Sequence, residues 1–397
     1  MIKQILIGAV LSLVLFNSCQ EPELKALIVT GQNNHNWEAS HEILSRILVN
    51  SQVFNVDIAI SPGQGEEMSD FNPEFEKYDV VVLDYNGDAW DDVVKNRFEN
   101  YVANGGGVVV YHAADNSFPK WEAYNKMIGL GGWYGRNEAS GPYVYWRNDS
   151  IIRDMTPGPG GSHGQQHEFV VHHRETDHPI LRGLPTRWMH SRDELYSKLR
   201  GPAENMTVLA TAYADPKKGG TGRHEPVLFT VKYGKGRIFH TVLGHVGKEA
   251  PLAAQCAGFI LTLQRGAEWA ATGSVTQELP ADLPNVAAPF ILPSYKPYSL
   301  DELFRRAQTF KQGSSRKYLY LISNRIRLAN EDPAKMKDFE SRIIEVLESN
   351  ATVDCKNYLC RDLSWIGSDA AIPILEQLQA NDATKDMASF ALQRIRE

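Results

Sequence analysis

The sequence predicts an α/β domain with a mostly parallel sheet covered by helices on both faces, followed by a small all-helical domain. Three observations support this. Continuous apolar runs, typical of buried parallel strands, alternate with amphipathic segments over roughly the first two thirds of the chain. Every histidine lies between His35 and His245. A proline-rich segment then separates this part from a C-terminal part with helical periodicity throughout.

The predicted strands and helices of the first domain follow one another in a regular order. Apolar runs rich in β-branched residues predict strands, and apolar residues three and four apart predict helices. In chain order the segments are the strand KALIVTG (25–31), the helix EASHEILSRILV (38–49), the strand VFNVDIAI (53–60), the strand YDVVVLDY (78–85), the helix DDVVKNRFENYVANGGG (91–107) and the strand VVVYH (108–112).

The end of this domain predicts a hairpin and one more helix. EPVLFTVKYGKGRIFHTVLG (225–244) has two strand-like runs around a Gly-Lys-Gly turn. PLAAQCAGFILTLQRGAEWA (251–270) is largely apolar and predicts a buried helix. We therefore place the α/β domain at 25–272, a Pro-rich linker at 273–298 and helices at 299–397.

The C-terminal segment predicts short helices joined by polar turns. Ser299 is suited to cap the first of them, because acidic residues follow in its first turn. LCRDLSWIGSDAAIPILEQL (359–378) resembles a HEAT-like repeat. Two or so such hairpins bury little surface alone, so we expect them to pack on the first domain or to cover an interface.

Composition limits the classes of function. The 397 residues are 43% hydrophobic and 22% charged, as in globular proteins of one or two domains. The formal net charge is −7 and no long basic run occurs, so a nucleic-acid partner has no electrostatic support.

The N-terminus predicts export. Residues 1–18 carry one early lysine and an apolar run too short to span a bilayer comfortably, as in a signal peptide. The run ends in LFNSCQEPE, which resembles a bacterial lipoprotein signal, so we predict lipidation of Cys19 and a tether at 19–24. Ordinary signal-peptidase cleavage is the alternative. The expected location is the periplasm or the cell surface, with a lipid anchor as the membrane contact. The three remaining cysteines do not predict a disulfide framework.

Polar residues follow several predicted strands at their carboxyl ends, where open parallel sheets bind ligands. The alternative is that each of these residues only caps a helix or closes a turn. They are Asn33, Asn34, His35 and Trp37 after the first strand, Asp84 and Asn86 after the third, His112, Asp115 and Asn116 after the fourth, and His245 after the last.

His112 holds an informative position. Folds with a nucleophile at a strand-to-helix turn carry cysteine or serine there, and this strand ends in histidine instead. Cys256 is predicted inside an apolar helix, so cysteine-based acyl transfer is nearly excluded. A histidine in this place can bind a metal or act as a general base.

MHSRDELYSKL (189–199) supplies His190, Asp193, Glu194 and Tyr196, a mixture suited to metal binding or acid–base chemistry. The alternative is a helix start with Ser191 as the N-cap.

SHGQQHEFVVHHRETDHP (162–179) contains five histidines, which we do not expect to form one site. In the strand-like EFVVHH, His172 and His173 point to opposite faces. His178 precedes a proline in a turn and is expected to pack. His163 and His167 lie in a glycine-rich loop that we predict as a lid over the site.

Six segments together resemble the trehalose-utilisation (ThuA-like) family over about Lys25 to Ala271: ALIVTGQNNHNW, GGGVVVYHAADNSF, GLGGWYG, DHPILRGLP, RDELY and YGKGRIFHTVLGH. The resemblance implies a flavodoxin-like fold similar to class I glutamine amidotransferases, without their catalytic cysteine. It also implies a role in bacterial sugar use beside oxidoreductases that make 3-keto disaccharides. The resemblance further implies a site for a divalent metal, and His112, Glu194 and His245 match the relevant motifs here.

We therefore expect an envelope enzyme, not a glutamine amidotransferase, that hydrolyses or isomerises a sugar or 3-keto-glycoside. A partner sugar oxidoreductase is expected, and the cofactor is a divalent metal, with zinc favoured. The alternatives are a non-catalytic sugar-binding or scaffold protein, and histidines that are purely structural. The predicted catalytic residues are His35, His112, Asp115 and Tyr196; the metal ligands are His112, Glu194 and His245; the substrate-binding residues are Asn34, Trp37, Trp133, Tyr134, His163 and His167.

Overall fold

A computed structural model describes residues 24–397. The predicted signal peptide and Cys19 lie outside the described residues. Within 24–397, no helix is both long enough and apolar enough to cross a membrane.

The central feature is an eleven-stranded mixed sheet. A second sheet of two short strands, β7 and β10, lies beside it. The strands are β1 (Leu24–Thr30), β2 (Phe54–Ile60), β3 (Val80–Leu83), β4 (Gly107–Tyr111), β5 (Tyr143–Arg147), β6 (Ser150–Asp154), β7 (Ser162–His163), β8 (His167–His173), β9 (Arg187–Asp193), β10 (Tyr196–Ser197), β11 (Met206–Tyr213), β12 (His224–Tyr233) and β13 (Gly236–Thr241).

The first half of the large sheet is parallel. Its order is β2-β1-β3-β4-β13, with every neighbouring pair parallel. This corresponds to the flavodoxin-like order, in which ligands bind beyond the carboxyl ends of the strands. β3 and β4 are buried along their whole lengths, which explains their uninterrupted valine-rich sequences. The predicted fold class is therefore confirmed.

The sheet continues with antiparallel strands. β12 and β13 form the predicted hairpin, with Tyr233 opposite Gly236 across the turn. β11, β8 and β9 follow in that order, and β5 and β6 branch from β12. This extension brings the segment that ends in Asp193 to the edge at which the parallel strands end. There Asp193 accepts a hydrogen bond from the backbone N–H of Gly244.

Helices cover both faces of the parallel half. On one face α1 and α4 contact each other, and the Gln264 side chain donates a 2.8 Å hydrogen bond to the Ile47 carbonyl. An aromatic cluster that includes Phe75, Trp90, Phe98, Phe118 and Trp121 surrounds α2. The helices are α1 (Trp37–Asn50), α2 (Asp92–Ala103), α3 (Glu122–Ile128) and α4 (Ala257–Thr272).

Residues 273–299 contain no helix or strand, and six helices follow. Ser299 caps the first of them as predicted, since its hydroxyl accepts from the Glu302 N–H. The helices are α5 (Leu300–Ala307), α6 (Lys317–Leu328), α7 (Pro333–Glu348), α8 (Val353–Ile366), α9 (Ile372–Gln379) and α10 (Lys385–Arg396).

The six-helix region packs on the α/β domain through charged groups of α1. Arg325 of α6 donates to both carboxylate oxygens of Glu42, at 2.6 and 2.8 Å. Arg46 makes a bidentate pair with Glu302 of α5, at 2.7 and 3.0 Å. Glu42 is buried, so its attachment to Arg325 offsets the cost of removing its charge from water.

Candidate metal centre

Four side chains from four separate segments converge at the carboxyl edge of the sheet. They are His35 after β1, His112 at the end of β4, Glu194 after β9 and His245 after β13. Each offers one ligand atom, and these four atoms all lie within 4.8 Å of one another. We call these four residues the metal-centre cluster. The sequence predicted them as neighbours, and the fold brings them together.

Glu194 lies at the middle of the cluster. Its Oε2 is 3.4 Å from His35 Nε2, 3.4 Å from His245 Nδ1 and 3.8 Å from His112 Nε2. Burial would raise the pKa of Glu194, but the surrounding imidazoles of His245, His35 and His112 outweigh it and lower this pKa far below its usual range. Glu194 is therefore a carboxylate at neutral pH, as a metal ligand requires.

His112 is held in one tautomer. Its Nδ1–H donates to the Val242 carbonyl at 2.6 Å, so Nε2 presents its lone pair to the cluster. Burial, and then the charge of His35, lower the pKa of His112 to about 3. Its backbone has φ of 45°, in the left-handed region that is costly for a residue with a Cβ. Such strain is common at functional sites and here results from the turn that follows β4.

His35 is oriented by a chain of polar groups. The Asn33 side-chain oxygen accepts from the His35 N–H and lies 3.3 Å from Nδ1, so Nε2 faces Glu194. The Asn33 amide donates to Asp84 at 3.1 Å, and Ser40 donates to the same carboxyl group. Burial raises the pKa of Asp84 to about 8, against the effect of those hydrogen bonds.

Asp193 connects the backbones of two cluster residues. Its buried carboxylate accepts from the N–H groups of Glu194 at 2.7 Å and His245 at 3.2 Å, and from Gly244 at 2.8 Å. Its fourth partner is the His190 ring, at 2.7 Å. Asp193 therefore fixes the spacing between the segments that carry Glu194 and His245. The alternative helix start at Ser191 is wrong, because Ser191 lies within strand β9, which pairs with β8.

Gln166 also contacts the metal-centre cluster, although the sequence did not predict it as a site residue. Its side-chain amide donates to Glu194 Oε1 at 3.2 Å. It stands between His163 and His167, and the sequence signal that drew attention to this segment came from those histidines. The glycine-rich segment therefore contacts the metal-centre cluster through the Gln166 side chain.

The five histidines of 162–179 are separated, as expected. His172 is half-buried and His173 is buried on the opposite face of β8, where the Trp188 indole donates to it. His178 packs against Trp269, with ring centroids 5.0 Å apart. His167 begins β8 and contacts Phe169.

Aromatic rings extend from His112 toward the surface. Tyr196 stacks on His112 with centroids 4.4 Å apart, and Trp133 meets Tyr196 edge-on at 4.7 Å. His163 is exposed and lies 6.2 Å from Trp133 and 6.3 Å from Tyr196. Tyr134, the next residue, is 57% exposed. These rings form what we call the aromatic wall, defined by Tyr196, Trp133 and His163.

Three other predicted site residues lie outside the cluster. Asp115 is fully buried; among the described residues its oxygens accept no hydrogen bond, and the His240 ring lies 3.7 Å away. Burial raises the pKa of Asp115. Asn34 is exposed and accepts from the Asn86 amide. Trp37 is 9% exposed and packs on His41, so little of its ring faces solvent.

The cysteines take no part in the cluster. Cys256, Cys355 and Cys360 are free and buried. Cys256 occupies the N-cap of α4 and so lies just outside the helix in which it was predicted. The place of a nucleophile after β4 belongs to His112.

The structure is that of an α/β protein with a flavodoxin-like sheet that carries histidines and a glutamate at its carboxyl edge. It lacks the cysteine nucleophile of the amidotransferases. The chain belongs to the ThuA family, described as trehalose utilisation, whose model matches residues 25–270. The match ends before the six C-terminal helices begin.

The chain is also similar to solved structures, and the first of these agrees with the family assignment. A ThuA-like protein from Parabacteroides merdae ATCC 43184 is 53% identical, with a TM-score of 0.68, and the match covers 69% of this chain and 99% of that one. A ThuA-like protein from Bacteroides uniformis ATCC 8492 is 18% identical, with a TM-score of 0.42, over 66% of this chain and 96% of that one. Among curated proteins, none matches.

Proposed function

We propose that the protein is a metal-dependent enzyme that hydrolyses or isomerises a sugar or 3-keto-glycoside. The metal-centre cluster is the observation that carries the proposal. Three imidazoles and one carboxylate are a donor set that Zn²⁺ takes readily, and other divalent transition metals share it.

The cluster contains potential ligand atoms that are available to bind an ion. Within residues 24–397, His112 Nε2 and His245 Nδ1 are buried without a hydrogen-bond partner, although each lies within 4 Å of Glu194 Oε2. Buried polar atoms without partners are rare, so two that point at one carboxylate call for an explanation. The groups behind the ligands also fit, because metal-binding histidines commonly donate their second N–H to a carbonyl or carboxyl group. Val242 and Asn33 provide such acceptors here.

A bound divalent ion would polarise a keto oxygen or make a bound water acidic. The residues around it would do the rest. Tyr196 is buried between His112 and Trp133, and the partly exposed Trp133 offers ring surface suited to the apolar face of a sugar. Gln166 and Asn33 keep Glu194 and His35 turned toward the cluster. His163 and Tyr134 stand at the exposed end of the aromatic wall, where a glycoside would enter.

The test is metal analysis of the full-length protein purified in detergent, alongside turnover of 3-keto disaccharides. We expect one divalent ion per chain, lost in His112→Ala and His245→Ala and kept in the matched control His172→Ala. Turnover should disappear with the ion. Absence of both a stoichiometric ion and turnover would refute the proposal that the protein is a metal-dependent enzyme. Sugar binding by that metal-free protein would then support the alternative, a non-catalytic sugar-binding protein.

We also propose that the protein is exported and anchored through Cys19, and that an oxidoreductase producing 3-keto sugars supplies its substrate. The sequence of residues 1–19 supports the anchor. Metabolic labelling with a fatty acid should mark the wild type and leave Cys19→Ala unlabelled. Equal labelling of both would contradict the anchor.

A further inference from the structure

A cavity lies between the α/β domain and the six-helix region. It has a volume of about 750 Å³, within the range of pockets that hold small organic ligands. One wall comes from the chain after β2, and the other from α6, α7 and α8; no residue of the metal-centre cluster lines it. We call it the interdomain cleft. We propose that it binds an acidic oligosaccharide.

The helical wall presents aromatic rings in the manner of a sugar-stacking surface. Trp365 is 62% exposed, so its ring is open to a ligand in the cleft. The Arg361 guanidinium lies 4.0 Å from the Tyr358 ring centroid and 5.5 Å from that of Trp365. The arginine thereby holds the two rings in a fixed relation and adds a cation between them.

The same wall carries three arginine side chains. Arg316, Arg327 and Arg361 all line the cleft. Among the described residues, neither Arg316 nor Arg327 has a carboxylate within 4 Å, and Arg327 donates to the neutral amide of Asn324. Arg361 already pairs with Asp362 at 3.3 Å, so Arg316 and Arg327 are the guanidinium groups available to an anion. Planar guanidinium groups with free donors bind carboxylate or sulfate oxygens.

The opposite wall suits hydroxyl groups. Glu66 and Asp70 line it from the chain after β2. Glu66 accepts from the Gly63 N–H, whereas Asp70 has no partner within hydrogen-bonding distance among the described residues. A free carboxylate facing arginines across a cleft accepts hydrogen bonds from hydroxyls. A ligand with ring faces, hydroxyls and an anionic group satisfies all three features, and an acidic oligosaccharide combines them.

The proposal is tested by titration calorimetry on the full-length protein with three probes: trigalacturonate, a sulfated chondroitin disaccharide and neutral maltotriose. We expect an acidic probe to bind at least about tenfold more tightly than maltotriose, a difference of about 1.4 kcal/mol. Comparison of the carboxylated and sulfated probes identifies which anion the arginines prefer.

Variants place the binding in the cleft. Trp365→Ala and Arg327→Ala change exposed side chains and should each weaken binding by about tenfold or more, as loss of a stacking or guanidinium contact does. The matched controls Phe390→Ala and Arg305→Ala change exposed residues outside the cleft and should bind as the wild type does. Thermal melts of all four exclude unfolding. The proposal is overturned if acidic probes bind no better than maltotriose. It is equally overturned if His112→Ala abolishes the binding while Trp365→Ala preserves it.

Discussion

Asp193→Asn should damage both the fold and the metal-centre cluster. The carboxylate accepts four hydrogen bonds, two on each oxygen: Oδ1 from the Glu194 and His245 N–H groups, and Oδ2 from Gly244 and His190. Asparagine keeps one oxygen and places an NH₂ group where the other was. Whichever way the amide turns, two buried donors then face a donor and lose their acceptor.

The magnitude follows from those two orphaned donors. Each buried unsatisfied group costs about 1–3 kcal/mol, so the free energy of unfolding should fall by about 2–6 kcal/mol. Because Glu194 and His245 are no longer held at one spacing, the affinity for a divalent ion should fall by about 10- to 100-fold.

Two measurements check this: urea unfolding of chelator-treated protein at pH 7, and Zn²⁺ titration against a competing chelator. Asp92→Asn makes the same chemical change at an exposed position, where its pair with Lys95 contributes about 0–1 kcal/mol, and should leave both quantities unchanged. If Asp193→Asn unfolds within about 1 kcal/mol of wild type, which is less than two orphaned donors cost, and binds Zn²⁺ equally well, the assigned role is wrong.

Two further predictions concern buried charge. Burial raises the pKa of Glu225 to about 7, above its value of 4.5 when unfolded. The unfolded chain therefore ionises first as pH rises, and stability should fall by about 3 kcal/mol between pH 4.5 and 7. Glu225→Gln should remove that fall while keeping an acceptor for Thr221, so melting curves at pH 4.5 and 8 that show no difference between variant and wild type would contradict it. Arg325→Ala leaves the buried Glu42 carboxylate without its cation and should cost about 3–5 kcal/mol in urea unfolding, whereas Arg342→Ala, whose ion pairs are more exposed, should cost about 1 kcal/mol or less. Equal losses in the two arginine variants would show that the interdomain pair is not stabilising.

The sequence predicted the parallel half of the sheet because its strands are buried on both faces. Their apolar runs are continuous and bounded by glycine or polar residues, as in Val80–Leu83 and Gly107–Tyr111. The hairpin around 234–236 was also predictable, since its turn residues are local. Because parallel strands end at one edge, the positions of His35, His112 and His245 followed from the strand order alone.

Glu194 was harder to place. It reaches the cluster through β8 and β9, which extend the antiparallel half of the sheet, and local pattern left a helix start at Ser191 as an equal alternative. Strand β9 pairs with β8 far from the parallel core, and such pairing is a property of the whole fold. Pairing with a distant strand overrides local capping signals.

The groups behind the ligands could not be inferred from residue type. Gln166 and Asn33 are ordinary loop residues in sequence, and only the distances of 3.2 Å to Glu194 and 3.3 Å to His35 reveal their roles. Trp37 illustrates the opposite case. An aromatic residue beside a candidate histidine suggested a sugar contact, and the structure buries most of its ring against His41.

Helix α1 has a mechanical consequence for the site. Its N-cap, Asn36, follows His35 directly and is tied to the segment after His245 by hydrogen bonds to the Val246 and Gly247 carbonyls. Glu42 lies about 9 Å further along the helix axis, at 1.5 Å per residue, and pairs with Arg325 of the six-helix region. Helix α1 therefore connects the segment after His245 to the six-helix region. The helix that begins beside His35 is therefore also an attachment point for the C-terminal helices, which contribute no member of the cluster.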